Sequence, residues 1–257
     1  MKLDEYINSL RGTCEEGTAY LRLDKDLEIA YMKNHKYRFK HVLASIPRSS
    51  SPIRLLDIGT TPFTLFIKNV YPHYEVSALD LTDLLEQRCK AVKIQFKTCE
   101  VGEQSLPFED NYFDVVIFTA VLEHLFAPPN EVLKEIRRVI RHGGKLIFSV
   151  PNLVALLKRI KFVLGISPFA PPDIRFKKWT HGYRHLTEYT MTEIASILEG
   201  CDFIISKKKF LEPSPIDALV RLDDGFFRAL VRSVYCVIAL LIPSFRRTLW
   251  FECTKPV

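Results

Sequence analysis

The sequence predicts a doubly wound α/β fold: a mostly parallel seven-stranded sheet with helices on both faces, an N-terminal helical cover and helical insertions. Two observations predict it. From Ile53 onward, short apolar runs alternate with helical stretches, a pattern typical of βαβ units around a parallel sheet. The composition, 47% hydrophobic and 26% charged over 257 residues, suits one globular domain with added helices.

The individual elements follow this alternation along the chain. Strands are expected at residues 53–57, 75–80, 95–100, 114–118, 145–150, 203–207 and 248–254. Helices are expected at residues 63–70, 81–92 and 130–141, the last ended by a glycine cap at His142-Gly143-Gly144. These elements place a core domain over residues 53–257.

Three segments lie outside the regular alternation. Residues 1–52 are expected to form the helical cover and a linker, because Leu23, Leu27, Ala30 and Tyr31 recur at helical spacing and the segment 47–52 is polar and bounded by prolines. Insertions are expected at about 153–189 and 213–247, after the fifth and sixth strands. Loops at the carboxyl ends of strands hold the ligand in such folds, so the first insertion is expected to cover an acceptor site.

Composition and charge limit the classes of function. A net charge of +6 without a long basic tract does not predict binding to nucleic acid. The six cysteines form no CxxC pair, so neither a disulfide framework nor a metal site is expected. The N-terminus has no apolar signal region, and the longest apolar run, residues 234–243, is too short to span a membrane. A cytoplasmic location is therefore expected.

The residues that carry chemistry begin at the end of the first strand. Asp57-Ile58-Gly59 precedes a helix, where a glycine lets the backbone approach a ligand and the helix N-terminus favours negative charge. Asp80 ends the second strand, where a carboxylate can accept the hydroxyl hydrogens of a ribose. The alternatives are an ordinary strand-to-helix turn at Gly59 and a helix N-cap at Asp80.

Three further segments complete a resemblance to a known family. They are LPFEDNYFDVV at 106–116, LEHL at 122–125 and GGKLIFSVPN at 143–152. Together with the LDIG turn and the acid that ends the second strand, their order resembles that of class I S-adenosylmethionine-dependent methyltransferases over residues 53–206. The segment at 181–203 is similar to the corresponding stretch of subfamilies that methylate small metabolites, quinone precursors or sugars.

The resemblance implies a cofactor, S-adenosylmethionine, and a set of residues that hold it. Asp57 and Gly59 would shape the methionine pocket, and Asp80 would bind the ribose. Glu100 with Val101 would hold the adenine. Thr119 would lie beneath the sulfonium.

One departure from the family pattern concerns the glycine-rich turn. Thr61 and Phe63 replace the second and third glycines of GxGxG, so either the loop takes another shape or cofactor binding is weakened. A catalytically inactive interaction protein of the same fold is the alternative function. A nicotinamide-dependent oxidoreductase is disfavoured, because GxGxxG is absent from this turn.

Three histidines are candidate catalytic residues. His124 is a candidate general base for an O-methyl acceptor, and its alternative role is to cap or pack together with Glu123. His181 and His185 are comparable candidates, and Arg184 between them could instead bind an anionic substrate.

The two insertions carry apolar and basic residues that bear on the acceptor. In the first insertion an apolar stripe recurs at helical spacing beside Lys158, Arg159 and Lys161. Such a helix either packs on its own domain or rests on an anionic membrane. The apolar run in the second insertion is expected to dock on the domain without spanning a membrane. The expected acceptor is a small molecule, a saccharide or a lipid-linked compound, methylated on oxygen, with peripheral membrane contact left open.

Overall fold

The computed structural model describes residues 2–9, 25–175, 185–211, 234–235 and 237–257, and it confirms the predicted fold class. The seven strands form one sheet in the order β3-β2-β1-β4-β5-β7-β6. The five strands from β3 to β5 run parallel, and β7 is antiparallel to both of its neighbours. The strands are β1 Arg54–Ile58, β2 Glu75–Asp80, β3 Gln95–Thr98, β4 Phe113–Thr119, β5 Ile140–Pro151, β6 Ile204–Leu211 and β7 Thr248–Thr254.

The helices cover both faces of the sheet. They are α1 Leu3–Ser9, α2 Lys25–Ser45, α3 Pro62–Val70, α4 Glu86–Ala91, α5 Pro129–Val139, α6 Leu156–Val163, α7 Pro172–Arg175 and α8 Met191–Gly200. Single 3₁₀ turns lie at Leu122–His124 and Pro243–Phe245.

The central strands are mostly apolar, and both of their faces are buried. On β4, Val116 and Phe118 enter a hydrophobic cluster with residues of α5 and α8. Val115 and Ile117, which point to the opposite face, enter a second cluster with residues of α1, α2 and α3. Alternate residues of β4 thus enter different clusters on the two faces of the sheet. The domain therefore has three layers, with the sheet between two layers of helices.

The N-terminal cover packs on the domain through α2, and one of the predicted residues takes part. Ile29, Met32, Phe39 and Val42 are buried and Tyr31 packs against the same cluster, whereas Ala30 is exposed. Leu23 and the side chain of Leu27 lie outside the described residues. The buried residues recur at a spacing that fits the predicted helical period.

The predicted glycine cap after the fifth helix is wrong. Helix α5 ends at Val139, and both glycines lie within β5. A Cβ on Gly144 would lie 2.8 Å from the carbonyl oxygen of Arg141 and 3.1 Å from that of Phe113. Gly144 therefore permits a close approach of two strands and does not end a helix.

The helix predicted at 81–92 is shorter in the structure. Residues 81–85 form a turn, and α4 begins at Glu86 with Leu85 as its N-cap. Asp80 is therefore not a helix N-cap, and its carboxylate instead accepts a hydrogen bond from the backbone N–H of Thr82 at 3.3 Å.

The described parts of the two insertions contact each other. The first insertion starts and ends at an isolated bridge between Asn152 and Tyr189. Tyr235 and Ala239 of the second insertion are buried against Leu156 of α6. Among the described residues, no helix combines the length and apolar character needed to cross a bilayer.

Candidate active site

The predicted cofactor residues lie at one edge of the sheet. Gly59 follows β1, Asp80 ends β2, Glu100 follows β3 and Thr119 ends β4. Because these strands are parallel, their carboxyl ends share an edge. The strand order reverses between β1 and β4, and in open α/β sheets ligands bind at such a reversal.

The turn after β1 is fixed by backbone geometry and by its neighbours. Gly59 has φ +86°, and its N–H donates to the carbonyl oxygen of Leu79 at 2.9 Å. The hydroxyl of Thr60 donates to the same carbonyl at 3.2 Å. A Cβ on Gly59 would lie 2.5 Å from Cγ2 of Val121, so only glycine fits. The turn is thereby held against the ends of both β2 and β4.

Asp57 lies beneath this turn and is buried. The hydroxyl of Thr64 donates to its carboxylate at 2.6 Å, which connects the end of β1 to the first turn of α3. Burial, together with the nearby Asp80, raises the pKa of Asp57 to about 7 against the opposing effect of the Thr64 hydrogen bond. Asp57 is therefore a buried carboxyl group whose pKa lies near neutral pH.

The two replaced glycines are accommodated without obstructing the turn. The ring of Phe63 stacks on Phe39 of α2 with centroids 4.1 Å apart and is buried there, so it enters the core. Thr61 is the N-cap of α3 and forms a reciprocal capping box with Thr64. Threonine and phenylalanine at these positions stabilise α3 in place of the missing glycines.

Asp80 is tied to the same turn from the second strand. Its carboxylate accepts backbone hydrogen bonds from Leu81, Thr82 and Thr60, which lower its pKa, but burial outweighs them and the pKa is raised. Glu100 and Val101 follow β3, and Val101 is buried. An open cleft of about 490 Å³ lies beside the ends of β2 and β3, lined by Asp83, Glu86, Phe96, Lys97, Thr98 and Pro107.

The end of β4 contains a strained residue. Thr119 pairs with Ser149 of β5, and the N–H of Ala120 donates to the Ser149 carbonyl at 2.9 Å. Ala120 has φ +57°, which is unfavourable for a residue with a Cβ. This strain turns the chain so that Val121 packs on Gly59, and functional sites are common places for it.

Two of the three candidate catalytic histidines come together beyond this bend. The imidazole rings of His124 and His185 have centroids 5.1 Å apart. The carbonyl oxygen of Glu123 accepts a hydrogen bond from the N–H of Leu186 at 2.7 Å. This bond holds the end of the first insertion against the 3₁₀ turn that follows β4. His181 and Arg184 lie outside the described residues.

Sequence reasoning gave Glu123 only a capping or packing role and did not consider Glu188. Glu123, next to His124 in the 3₁₀ turn, is buried, and Glu188 is 2.5 Å from Nδ1 of His185. Lys158 of α6 forms an ion pair with Glu188. The sequence signal for a functional Glu123 was a charged residue inside the otherwise apolar segment VLEHL. Glu188 lies in a polar segment, so no comparable signal marked it.

Comparisons with known proteins agree with this geometry. A family model described as a methyltransferase domain matches residues 56–148. The malonyl-[acyl-carrier protein] O-methyltransferase of Paenibacillus sp. (strain JDR-2) is 30% identical over 110 residues, covering 38% of this chain and 40% of that protein. The demethylmenaquinone methyltransferase of Bacillus cytotoxicus is 34% identical over 104 residues, covering 37% and 43%. The alignments thus span less than half of either relative.

A solved structure extends the likeness to the whole fold. A SAM-dependent methyltransferase from Archaeoglobus fulgidus superposes with a TM-score of 0.57 at 17% identity, covering 88% of this chain and 99% of that one. The matched segment runs from within β1 into β5 and includes the carboxyl ends of β1 to β4, where the predicted cofactor residues lie. Residues 56–148 therefore match a methyltransferase domain, and the fold around them is that of S-adenosylmethionine-dependent methyltransferases.

Proposed function

We propose that this chain transfers the methyl group of S-adenosylmethionine to an oxygen of a small-molecule, saccharide or lipid-linked acceptor. The observation that carries the proposal is the convergence of Gly59, Asp80, Glu100 and Thr119 at the point where strand order reverses. Bound there, the cofactor supplies an electrophilic methyl carbon. An acceptor oxygen would take this methyl group with release of S-adenosylhomocysteine, and its proton would pass to a base, for which His124, His181 and His185 are the candidates.

The residues present fit this cofactor. In this proposal Asp80 accepts hydrogen bonds from the ribose hydroxyls, and Glu100 with Val101, which follow the neighbouring strand, hold the adenine. The backbone of residues 59–61 leads into the nine-residue helix α3, and Phe63 points into the core. Of the two outcomes expected from the Thr61 and Phe63 replacements, the loop therefore favours another shape over weakened binding of the cofactor.

The surface favours a lipid-linked acceptor among the three classes. Helix α6 has no buried residue, and Leu157, Phe162 and Val163 are half exposed or more. Leu241 in the adjoining segment is 77% exposed. Exposed apolar side chains on two contacting segments are typical of a surface that meets lipid or another protein. The first insertion therefore exposes apolar surface on α6, whose Lys158 pairs with Glu188 beside His185.

Two further observations support the finer parts of the proposal. One relative is by name an O-methyltransferase, which favours oxygen as the methylated atom. The cysteines Cys89, Cys99, Cys201 and Cys253 are free and buried, which suits a reducing compartment, and we place the reaction in the cytoplasm.

Isothermal titration calorimetry with S-adenosylmethionine tests the proposal. The wild-type chain is expected to bind, and Asp80→Ala is expected to weaken binding by about 1–3 kcal/mol, the cost of losing a charged hydrogen-bond partner. Asp110→Ala is the matched control, because Asp110 is exposed at the opposite edge of the sheet, where it pairs with Arg138. A folded wild-type chain that does not bind the cofactor would favour the inactive interaction protein.

A further inference from the structure

Glu123, His124 and His185 form a compact group just after β4, where the end of the first insertion hydrogen-bonds to Glu123. One ligand atom from each of the three lies within 4.8 Å of the others. Oε1 of Glu123 is 4.0 Å from Nε2 of His124. Two imidazoles and one carboxylate are the side chains that divalent transition-metal ions prefer.

The state of Glu123 is the second observation. Its side chain is 1% exposed, and within the described part of the chain neither carboxylate oxygen has a hydrogen-bond partner. A buried carboxylate without partners costs several kcal/mol, because the desolvation of its charge is not repaid. A cation bound between Glu123 and the two imidazoles would repay that cost.

The third observation is the support of His185. Nδ1 of His185 is 2.5 Å from Oε1 of Glu188, and Oε2 of Glu188 pairs with Lys158. Metal-binding histidines commonly donate one ring N–H to a carboxylate, which fixes the tautomer and leaves the other nitrogen to coordinate. Glu188 is thus a positioning residue for His185.

We propose that Glu123, His124 and His185 bind one divalent transition-metal ion of the zinc class. Ligands that share such an ion at about 2.0–2.2 Å lie about 3–3.5 Å apart. The group therefore has to contract by about 1 Å, and Leu186 and Thr187, which hydrogen-bond to the Glu123 carbonyl, keep its two segments together. Water or an acceptor oxygen completes the coordination, since three protein ligands leave a position open.

The role of the ion rests on the proposed function. The group follows β4 by a few residues, so the ion would lie close to Thr119, the strand end assigned to the methyl group. Coordination of an acceptor hydroxyl by the ion stabilises the oxyanion that forms as its proton leaves. The two histidines then act as ligands, and the acceptor is held by its reacting oxygen.

Calorimetry of the metal-stripped full chain with Zn²⁺, Mn²⁺ and Mg²⁺, under reducing conditions, tests the site. We expect one Zn²⁺ per chain to bind with high affinity and Mg²⁺ to bind at least tenfold more weakly. Glu123→Gln and His185→Asn should each weaken Zn²⁺ binding at least tenfold. His142→Gln is the control, because His142 is exposed at the beginning of β5, and it should bind as the wild type does.

Cobalt substitution adds a spectroscopic readout that separates this site from cysteine binding. Co²⁺ at the site should give visible d–d bands without a thiolate charge-transfer band, and these bands should disappear in His185→Asn, whose half-exposed side chain can be replaced without opening the core. A wild-type chain without Zn²⁺ binding, or unchanged affinity in a folded His185→Asn, would overturn the proposal. Titration with S-adenosylmethionine in parallel distinguishes this failure from failure of the proposed function.

Discussion

At the scale of single residues, the turn after β1 depends on Gly59, a position where a Cβ does not fit. Gly59 combines φ +86° with a Cβ position 2.5 Å from Val121, so alanine there meets both backbone strain and a steric clash. At Gly200, in the last turn of α8, an added Cβ would meet no atom of another segment within 4 Å. The two glycines form a matched pair.

We expect Gly59→Ala to lower the free energy of unfolding by about 1–3 kcal/mol, the usual cost of a left-handed residue with a Cβ. Gly200→Ala should raise it by about 0.5–1 kcal/mol, because alanine is the better helix former. Urea denaturation followed by circular dichroism measures both. Equal stability of Gly59→Ala and the wild type would show that the turn takes another conformation.

The buried carboxyl group of Asp57 makes the stability of the fold depend on pH. Burial raises its pKa to about 7, above the ordinary value of 3.8, so between these values the folded chain binds more protons than the unfolded chain. Stability due to Asp57 is therefore highest at acidic pH and falls as pH rises through 7.

We expect Asp57→Asn to be more stable than the wild type at pH 8, since the amide carries no charge and can still accept the Thr64 hydrogen bond. The difference should shrink as pH falls towards 5. Urea denaturation of both proteins at several pH values measures it. A difference that does not change with pH would mean that the folded pKa of Asp57 is ordinary.

At the scale of elements, α2 is attached to the far side of the sheet by a polar group. Glu252 of β7 accepts hydrogen bonds from the Ser45 hydroxyl at 2.9 Å and from the Lys145 ammonium at 2.6 Å. Lys145 also donates to the Ser45 carbonyl at 2.9 Å. Burial alone would raise the pKa of Glu252, but these partners lower it to about 2.

Because the folded pKa of Glu252 is depressed, its contribution to stability is present above about pH 4.5 and is lost as pH falls towards 2. We expect Glu252→Gln to lower the free energy of unfolding by about 1–3 kcal/mol at pH 7, and less at pH 3. Hydrogen exchange should show faster exchange at the end of α2 in the variant. Unchanged protection there would contradict the attachment.

At the scale of the whole molecule, α6 and residues 237–242 form one exposed apolar surface with a basic margin. Arg159 and Lys161 are exposed on α6, and Arg247, which lies over the ring of Tyr235, is exposed as well. The expected docking of the second insertion on the domain is met by Tyr235 and Ala239, whereas Val237, Leu240 and Leu241 remain exposed. Basic residues near apolar ones favour an anionic membrane surface.

We expect the wild-type chain to float with anionic vesicles at low salt, and less with neutral vesicles or at high salt. Val163→Glu should reduce flotation, because Val163 is 86% exposed and its replacement adds charge to the apolar surface. Val92→Glu, which alters an exposed valine after α4, is the control. Equal flotation of the two variants would show that α6 does not bind the membrane.

The sequence by itself determined the features that are local in the chain. Apolar runs and their spacing predicted all seven strands, because the pattern that favours a strand lies in residues that are adjacent in the sequence. The acids and glycine at strand ends, Asp57, Gly59 and Asp80, were found because parallel strands must bring their carboxyl ends to one edge.

The tertiary structure decided what depends on contacts between distant segments. It placed Phe63 against Phe39, which explains how the altered glycine turn is accommodated, and it used Gly144 for strand contact where a helix cap was predicted. It also brought His185 and Glu188 to Glu123. No spacing in the chain specifies such a group, because it forms only when the end of the first insertion docks beside β4.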